Sequence, residues 1–141
     1  MHTHTIYING DGGSRGNPGP AASAISVTQN GKEIYRASKY LGIETNNGAE
    51  YTCVLLGLSW VRDNLSDKTI PVVFQLDSEL VAKHIRGEYK VRSPKLLPYY
   101  NQVMAILSAI PNEVVFTNVP REQNAIADLY VNQELDSHSS R

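Results

Sequence analysis

The chain has little sulfur and almost no excess charge of either sign. Thirteen lysines and arginines against fourteen acids leave a formal net charge of −1. That balance excludes a general polyanion binder, whose affinity is assembled from many phosphate contacts by basic side chains. Any nucleic-acid site must therefore be local. The lone Cys53 excludes an internal disulfide, and its setting in Tyr51-Thr52-Cys53-Val54-Leu55-Leu56 marks it as a buried small hydrophobe rather than a catalytic thiol. No apolar run approaches the roughly 20 residues that span a bilayer, and the start MHTHTIYING has neither a basic opening nor an apolar signal core. No membrane association and a cytoplasmic location are the expectation. There is no low-complexity tract and no repeat period, which excludes a solenoid. His2 and His4 alternate near the start without a third ligand beside them, and no role is assigned to them.

What is present is the composition of an ordinary globular protein: 141 residues, 41% hydrophobic and 19% charged. This is the size of one domain with one core, expected over 1–136 and acting as a monomer, with a flexible tail at 137–141. One basic cluster stands out. Lys83, His84, Arg86, Lys90, Arg92 and Lys95 fall in a short segment whose only acid is Glu88, a local nucleic-acid patch or a solvated surface.

The periodicity changes along the chain. Ile6 and Ile8 alternate with Tyr7 and Asn9, predicting a strand that runs into the turn-rich stretch from Gly10 to Pro20 and places Asp11 at the strand's end. Strands are predicted over 21–28 and 33–41 around the Asn30-Gly31 hairpin turn. Val54, Leu58, Val61 and Leu65 recur at helical spacing, and Asn47 three residues before Glu50 looks like a capping arrangement, so a helix is predicted over 47–64. The apolar run 70–76 reads as a central strand covered on both faces and ending at Asp77. A short helix over 78–86 capped by Ser78, a longer one over 94–110, a strand over 114–118 and a last helix over 121–135 complete the order βββαβααβα. Right-handed crossovers then give an α/β fold, a mixed five-stranded sheet with three antiparallel strands followed by two parallel ones, flanked by helices.

Each conspicuous acid has an ordinary explanation on its own: Asp11 as a turn residue, Glu50 as a cap, Asp77 at a helix start, Asp128 on a surface. Spacing separates the readings. Val54, Leu58 and Val61 lie four, eight and eleven residues beyond Glu50, so Glu50 falls on the apolar stripe; Asp128 shares a stripe with Val131 and Leu135. Carboxylates on a buried face are costly to keep ionised without a cation. Four converging at one end of a sheet make sense as a divalent metal site, and all-oxygen ligands favour Mg²⁺ or Mn²⁺ over zinc.

Four segments then carry a resemblance. Asp11-Gly12-Gly13-Ser14-Arg15-Gly16-Asn17-Pro18-Gly19-Pro20, Thr45-Asn46-Asn47-Gly48-Ala49-Glu50, Leu76-Asp77-Ser78 and Pro120-Arg121-Glu122-Gln123-Asn124-Ala125-Ile126-Ala127-Asp128 resemble, in order, the four motif blocks of type 1 ribonuclease H. The resemblance implies an endonuclease that cuts the RNA strand of RNA/DNA hybrids by a two-metal-ion mechanism. Mg²⁺ would be its ion, Mn²⁺ able to substitute, and the products 5′-phosphate and 3′-hydroxyl ends. It implies Asp11, Glu50, Asp77 and Asp128 as catalytic metal ligands. It assigns substrate binding to Gly12, Asn17, Thr45, Asn46, Asn47, Ser78 and Arg121, with Thr45 on a DNA-strand phosphate and the amides near the 2′-hydroxyls. Two departures are visible. The interval 78–94 leaves little room for the basic handle of many bacterial members, so the chain resembles the compact subgroup. No histidine lies between His84 and His138, and Arg121 stands in the loop where relatives place one; an arginine cannot serve as a base. Another nuclease of the superfamily, a non-catalytic hybrid-binding module and a structural metal domain are the rival readings. The second gives no reason to concentrate negative charge beside a phosphate, and the third leaves the amide-rich blocks unexplained.

Overall fold

A computed structural model describes residues 4–139; His2 and positions 140–141 of the expected tail lie outside the described residues. The elements are β1 (Ile6–Ser14), β2 (Gly19–Gln29), β3 (Lys32–Glu44), α1 (Asn46–Asn64), β4 (Val72–Leu76), α2 (Glu79–Ile85), α3 (Leu97–Ala109), β5 (Val114–Asn118), a 3₁₀ turn (Arg121–Asn124) and α4 (Ala125–Ser137). They form one five-stranded sheet in the order β3-β2-β1-β4-β5. β1, β2 and β3 pair antiparallel, while β4 lies parallel to both β1 and β5. The fold is the mixed α/β sheet expected.

The β2–β3 hairpin turns where the sequence places it. Asn30 and Gly31 adopt φ of 54° and 76°, the left-handed pair that a two-residue turn matched to strand twist requires. Two apolar layers cover the sheet. On one face, Ile6, Ile8, Ile25, Val27, Phe74 and Leu76 pack with Tyr51, Val54, Leu58 and Val61 of α1 and Val103 of α3. On the other, Ala22 and Ala24 meet Tyr130, Val131 and Leu135 of α4. Glu50 takes the buried stripe of α1, as its spacing predicts, and Cys53 is buried, as its apolar neighbours predict. No helix among the described residues is long and apolar enough to cross a membrane.

Several boundaries depart from the sequence reading. β1 does not end at Asp11; it continues to Ser14, because Gly12, Gly13 and Ser14 pair with Ser23, Ala22 and Ala21 of β2. What ends there is the parallel ladder, whose last rung is Gly10 with Leu76. Thr45, not Asn47, caps α1, its hydroxyl accepting the Gly48 N–H at 3.1 Å. Glu50 closes no capping box and instead accepts the Gly12 N–H of β1. β4 is central but alternates, with Val73 and Gln75 only half-buried. α3 starts at Leu97, and the last helix divides into the 3₁₀ turn and α4. α4 runs through Ser137, and the His138 ring stacks on Tyr40 at 4.0 Å between centroids.

Candidate active site

Asp11 and Asp77 each follow the last parallel rung of adjacent strands, β1 and β4, so the sheet itself sets them side by side. Glu50 reaches the same point from the buried side of α1. One oxygen from each of the three carboxylates lies within 4.8 Å of the others. The approach of α1 to β1 needs a glycine: a Cβ on Gly12 would stand 2.2 Å from the Ala49 carbonyl carbon, a backbone atom that cannot move aside. The bare Gly12 N–H then serves both acids, donating to Asp11 Oδ1 at 2.9 Å and Glu50 Oε1 at 3.1 Å.

The electrostatics are unfavourable for three anions. Asp11 and Glu50 are each 7% exposed. Burial, reinforced by the Asp77 and Asp128 charges, pushes Asp11 up to about 7. Burial and the neighbouring Asp11 push Glu50 well above the carboxylate range. Without a cation the pair holds protons that ordinary carboxyls release. Moreover, Glu50 Oε2 and Asp77 Oδ1 are buried with no hydrogen-bond partner among the described residues. Acceptor oxygens without donors, converging with a third carboxylate, fit a hard divalent cation.

Asp128 stands apart from the three-carboxylate group. It lies on α4, about one-third exposed, and lines the same cleft of about 460 Å³ together with Gly12, Asn46, Asn47, Ser78 and Arg121. Its placement depends on two residues that the sequence reading left without a role. Asn9 donates to Asn124 Oδ1 at 3.0 Å, and Asn124 donates to the Gly10 carbonyl at 2.7 Å. This buried amide clamp ties the start of α4 to β1, one residue from Asp11. The sequence signals for it are slight: Asn9 at an alternating position of the first strand, and Asn124 inside the motif block that ends at Asp128. Arg15 was also missed. It lines the cleft and reaches α4 through Asn132 at 3.3 Å and Asp136 at 2.8 Å, and Asn132 in turn donates to the Asp128 carbonyl at 3.0 Å. Arg121, largely exposed, lies 3.8 Å from Asp128.

The expected binding residues divide between two clefts. A second one, of about 720 Å³, is lined by Asn17, Thr45, Lys90, Arg92, Ser93 and Lys95 among others; Asn47 lines both. Asn46 Oδ1 accepts from Ser14 N at 2.8 Å, and Asn17 Oδ1 accepts from Asn46 N at 3.1 Å. Both carbonyl oxygens are thus occupied in locking the end of β1 and the turn after it onto α1. Ser78 caps α2 through Val81 N at 3.3 Å while lining the acidic cleft.

The six-residue basic cluster is corrected to three free cations. His84 is buried against Tyr51 and its imidazole is pulled down by burial, Arg86 pairs with Glu88 at 2.6 Å, and Lys83 faces Glu79 at 3.7 Å. Lys90, Arg92 and Lys95 have no ion-pair partner among the described residues.

The family profile described as "Reverse transcriptase-like" matches residues 9–134. LC11-RNase H1, solved in complex with an RNA/DNA hybrid, superposes with a TM-score of 0.90 at 36% identity, covering 96% of this chain and 100% of that one. The chain belongs to the type 1 ribonuclease H family. Ribonuclease HI of Halobacterium salinarum is 33% identical over 132 residues, 93% of this chain and 64% of that protein. Bifunctional protein Rv2228c of Mycobacterium tuberculosis is 36% identical over 134 residues, 94% of this chain and 36% of that protein. This ribonuclease H family member therefore spans about a third of one curated relative and under two-thirds of the other. Its family is metal-dependent, in agreement with the unpartnered oxygens of Glu50 and Asp77.

Proposed function

We propose that this protein hydrolyses the RNA strand of RNA/DNA hybrids endonucleolytically, acting as a monomer through one domain over 1–136. The observation that carries the reading is the group of Asp11, Glu50 and Asp77 in an open cleft: Asp11 and Glu50 buried, Asp77 half-buried, the three mutually repelling, with one oxygen of Glu50 and one of Asp77 unpartnered among the described residues. That a 36% identical relative was crystallised with such a hybrid supports the substrate class.

In this reading Asp11, Glu50, Asp77 and Asp128 hold two Mg²⁺ ions, with Mn²⁺ able to substitute. When bound, the ions supply a hydroxide nucleophile at neutral pH and stabilise the leaving oxygen of an in-line displacement, giving 5′-phosphate and 3′-hydroxyl ends. Everything else falls to the chain. Gly12 N–H fixes the orientation of Asp11 and Glu50 by bonding both. The amides of Asn46, Asn47 and Asn17 offer N–H donors to the hybrid, and a 2′-hydroxyl met by Asn46 or Asn47 in the acidic cleft distinguishes RNA from DNA by its sugar. Thr45 and the α1 N-terminus, with Lys90, Arg92 and Lys95 nearby, receive phosphates of the DNA strand in the basic cleft. Ser78 keeps Asp77 at the end of β4 by capping α2. Arg121, beside Asp128, meets the RNA backbone as a fixed positive charge and moves no proton.

The test uses a hybrid, duplex RNA and duplex DNA, each labelled on one strand, with Mg²⁺, Mn²⁺ or chelator. The RNA strand of the hybrid is expected to be cut with metal by the wild type and left intact in chelator or by Asp11→Asn. A folded wild-type protein that leaves the hybrid uncut with both metals overturns the proposal.

A further inference from the structure

We propose that His84 contacts the substrate directly: its Nε2–H, held at the wall of the basic cleft by Tyr51, donates to a backbone phosphate of the uncut strand. The proposal rests on the reading above in which that cleft receives the DNA strand.

The argument starts from a proton count. His84 is 5% exposed yet lines the cleft. Its Nδ1 lies 2.7 Å from the Tyr51 hydroxyl. Burial pushes the Tyr51 phenol up and the His84 imidazole down, so both are neutral at pH 7. The Tyr51 hydroxyl has no other acceptor among the described residues. It therefore donates to Nδ1, and the single ring proton sits on Nε2. Nε2 has no protein partner among the described residues, and it is not among the sealed-off polar atoms. It is a donor of fixed tautomer, on a side chain more than nine-tenths buried, open to the cleft.

The surroundings select the acceptor. Lys90, Arg92 and Lys95 line the cleft without ion-pair partners among the described residues, Thr45 brings the N-terminal end of α1, and the one acid, Glu88, is engaged by Arg86. A neutral donor among free cations and a helix N-terminus suits an oxyanion. Asn47 borders both clefts, which therefore adjoin, so a duplex with its RNA strand over the carboxylates brings its other backbone to the basic cleft, and the oxyanion is a phosphate of that backbone. Tyr51, stacked between His84 and Tyr99 with centroids 6.0 and 6.1 Å away, is a positioning residue acting through the imidazole.

The test is binding of a short hybrid in chelator, with a single uncharged methylphosphonate linkage walked along the DNA strand, alongside KM and kcat in Mg²⁺. Wild type is expected to lose affinity at a particular linkage. His84→Leu should bind roughly ten-fold more weakly and be indifferent to that linkage, with the loss on KM rather than kcat. His84→Gln, which keeps an N–H, should restore most of the affinity, and Tyr51→Phe should blunt the same linkage. Should His84→Leu fail to fold, Tyr51→Phe, which keeps the ring volume, decides by the same profile. A linkage profile unchanged from wild type in these variants, or a loss confined to kcat, overturns the assignment. Because binding is read without cleavage, a protein that binds the hybrid but never cuts it sinks the proposed activity and leaves this inference standing.

Discussion

Asp11 holds its proton up to about pH 7 in the metal-free protein because burial disfavours the anion, whereas in the unfolded chain an aspartate titrates near ~4. The folded-state value is raised, so the stability this group contributes is complete below about pH 4 and is lost as pH rises through about 7. Glu50 shifts in the same direction. In chelator the melting temperature should therefore fall between pH 5 and pH 8, and Asp11→Asn should flatten that fall; identical pH profiles for the two proteins would contradict it. Added Mg²⁺ should raise the melting temperature most at pH 8, where the carboxylates are charged. At this scale the convergence of Asp11, Glu50 and Asp77 was legible because each sits at a patterned place: Asp11 where the turn-rich stretch begins, Asp77 after the end of a strand, and Glu50 on an apolar helical stripe. Asn9 was not, since one amide in a strand does not announce a partner 115 residues away. His84 was misread as part of a basic surface because counting charges along a segment takes no account of which side chains the fold buries.

Among the elements, the contact of α1 with β1 leaves no room for a side chain at Gly12. Gly12→Ala places a methyl against the Ala49 carbonyl carbon and Glu50 N, so the helix must shift away and Glu50 with it. The expected cost is about 3 kcal/mol or more in urea denaturation, with loss of cutting even where the variant folds; a fully active Gly12→Ala would show that the cluster tolerates the displacement. The order and type of elements were readable from periodicity. The length of β1 past Asp11 was not, because Gly12, Gly13 and Ser14 have no strand propensity of their own and are held by pairing to β2. Likewise Thr45 as cap was hidden by the two asparagines after it, either of which is an equally good capping residue in sequence.

For the whole molecule, a net charge of −1 means that electrostatic affinity comes from a few placed cations. Arg15, Lys90, Arg92, Lys95 and Arg121 are those on the two clefts, so log affinity for the hybrid should fall against log salt with a slope no steeper than about −4.5. A relative carrying the basic handle should show a steeper slope and tighter binding, and the reverse ranking in a titration would refute the comparison. The amide clamp between Asn9 and Asn124 has a consequence in time rather than space. While the chain is being made, β1, α1 and β4 emerge early, but Asn9 has no mate and the carboxylate cleft no fourth wall until residues 124–128 leave the ribosome. In the reading proposed above, cutting a hybrid therefore has to await the last helix, however early the residues that carry the other three acids are made.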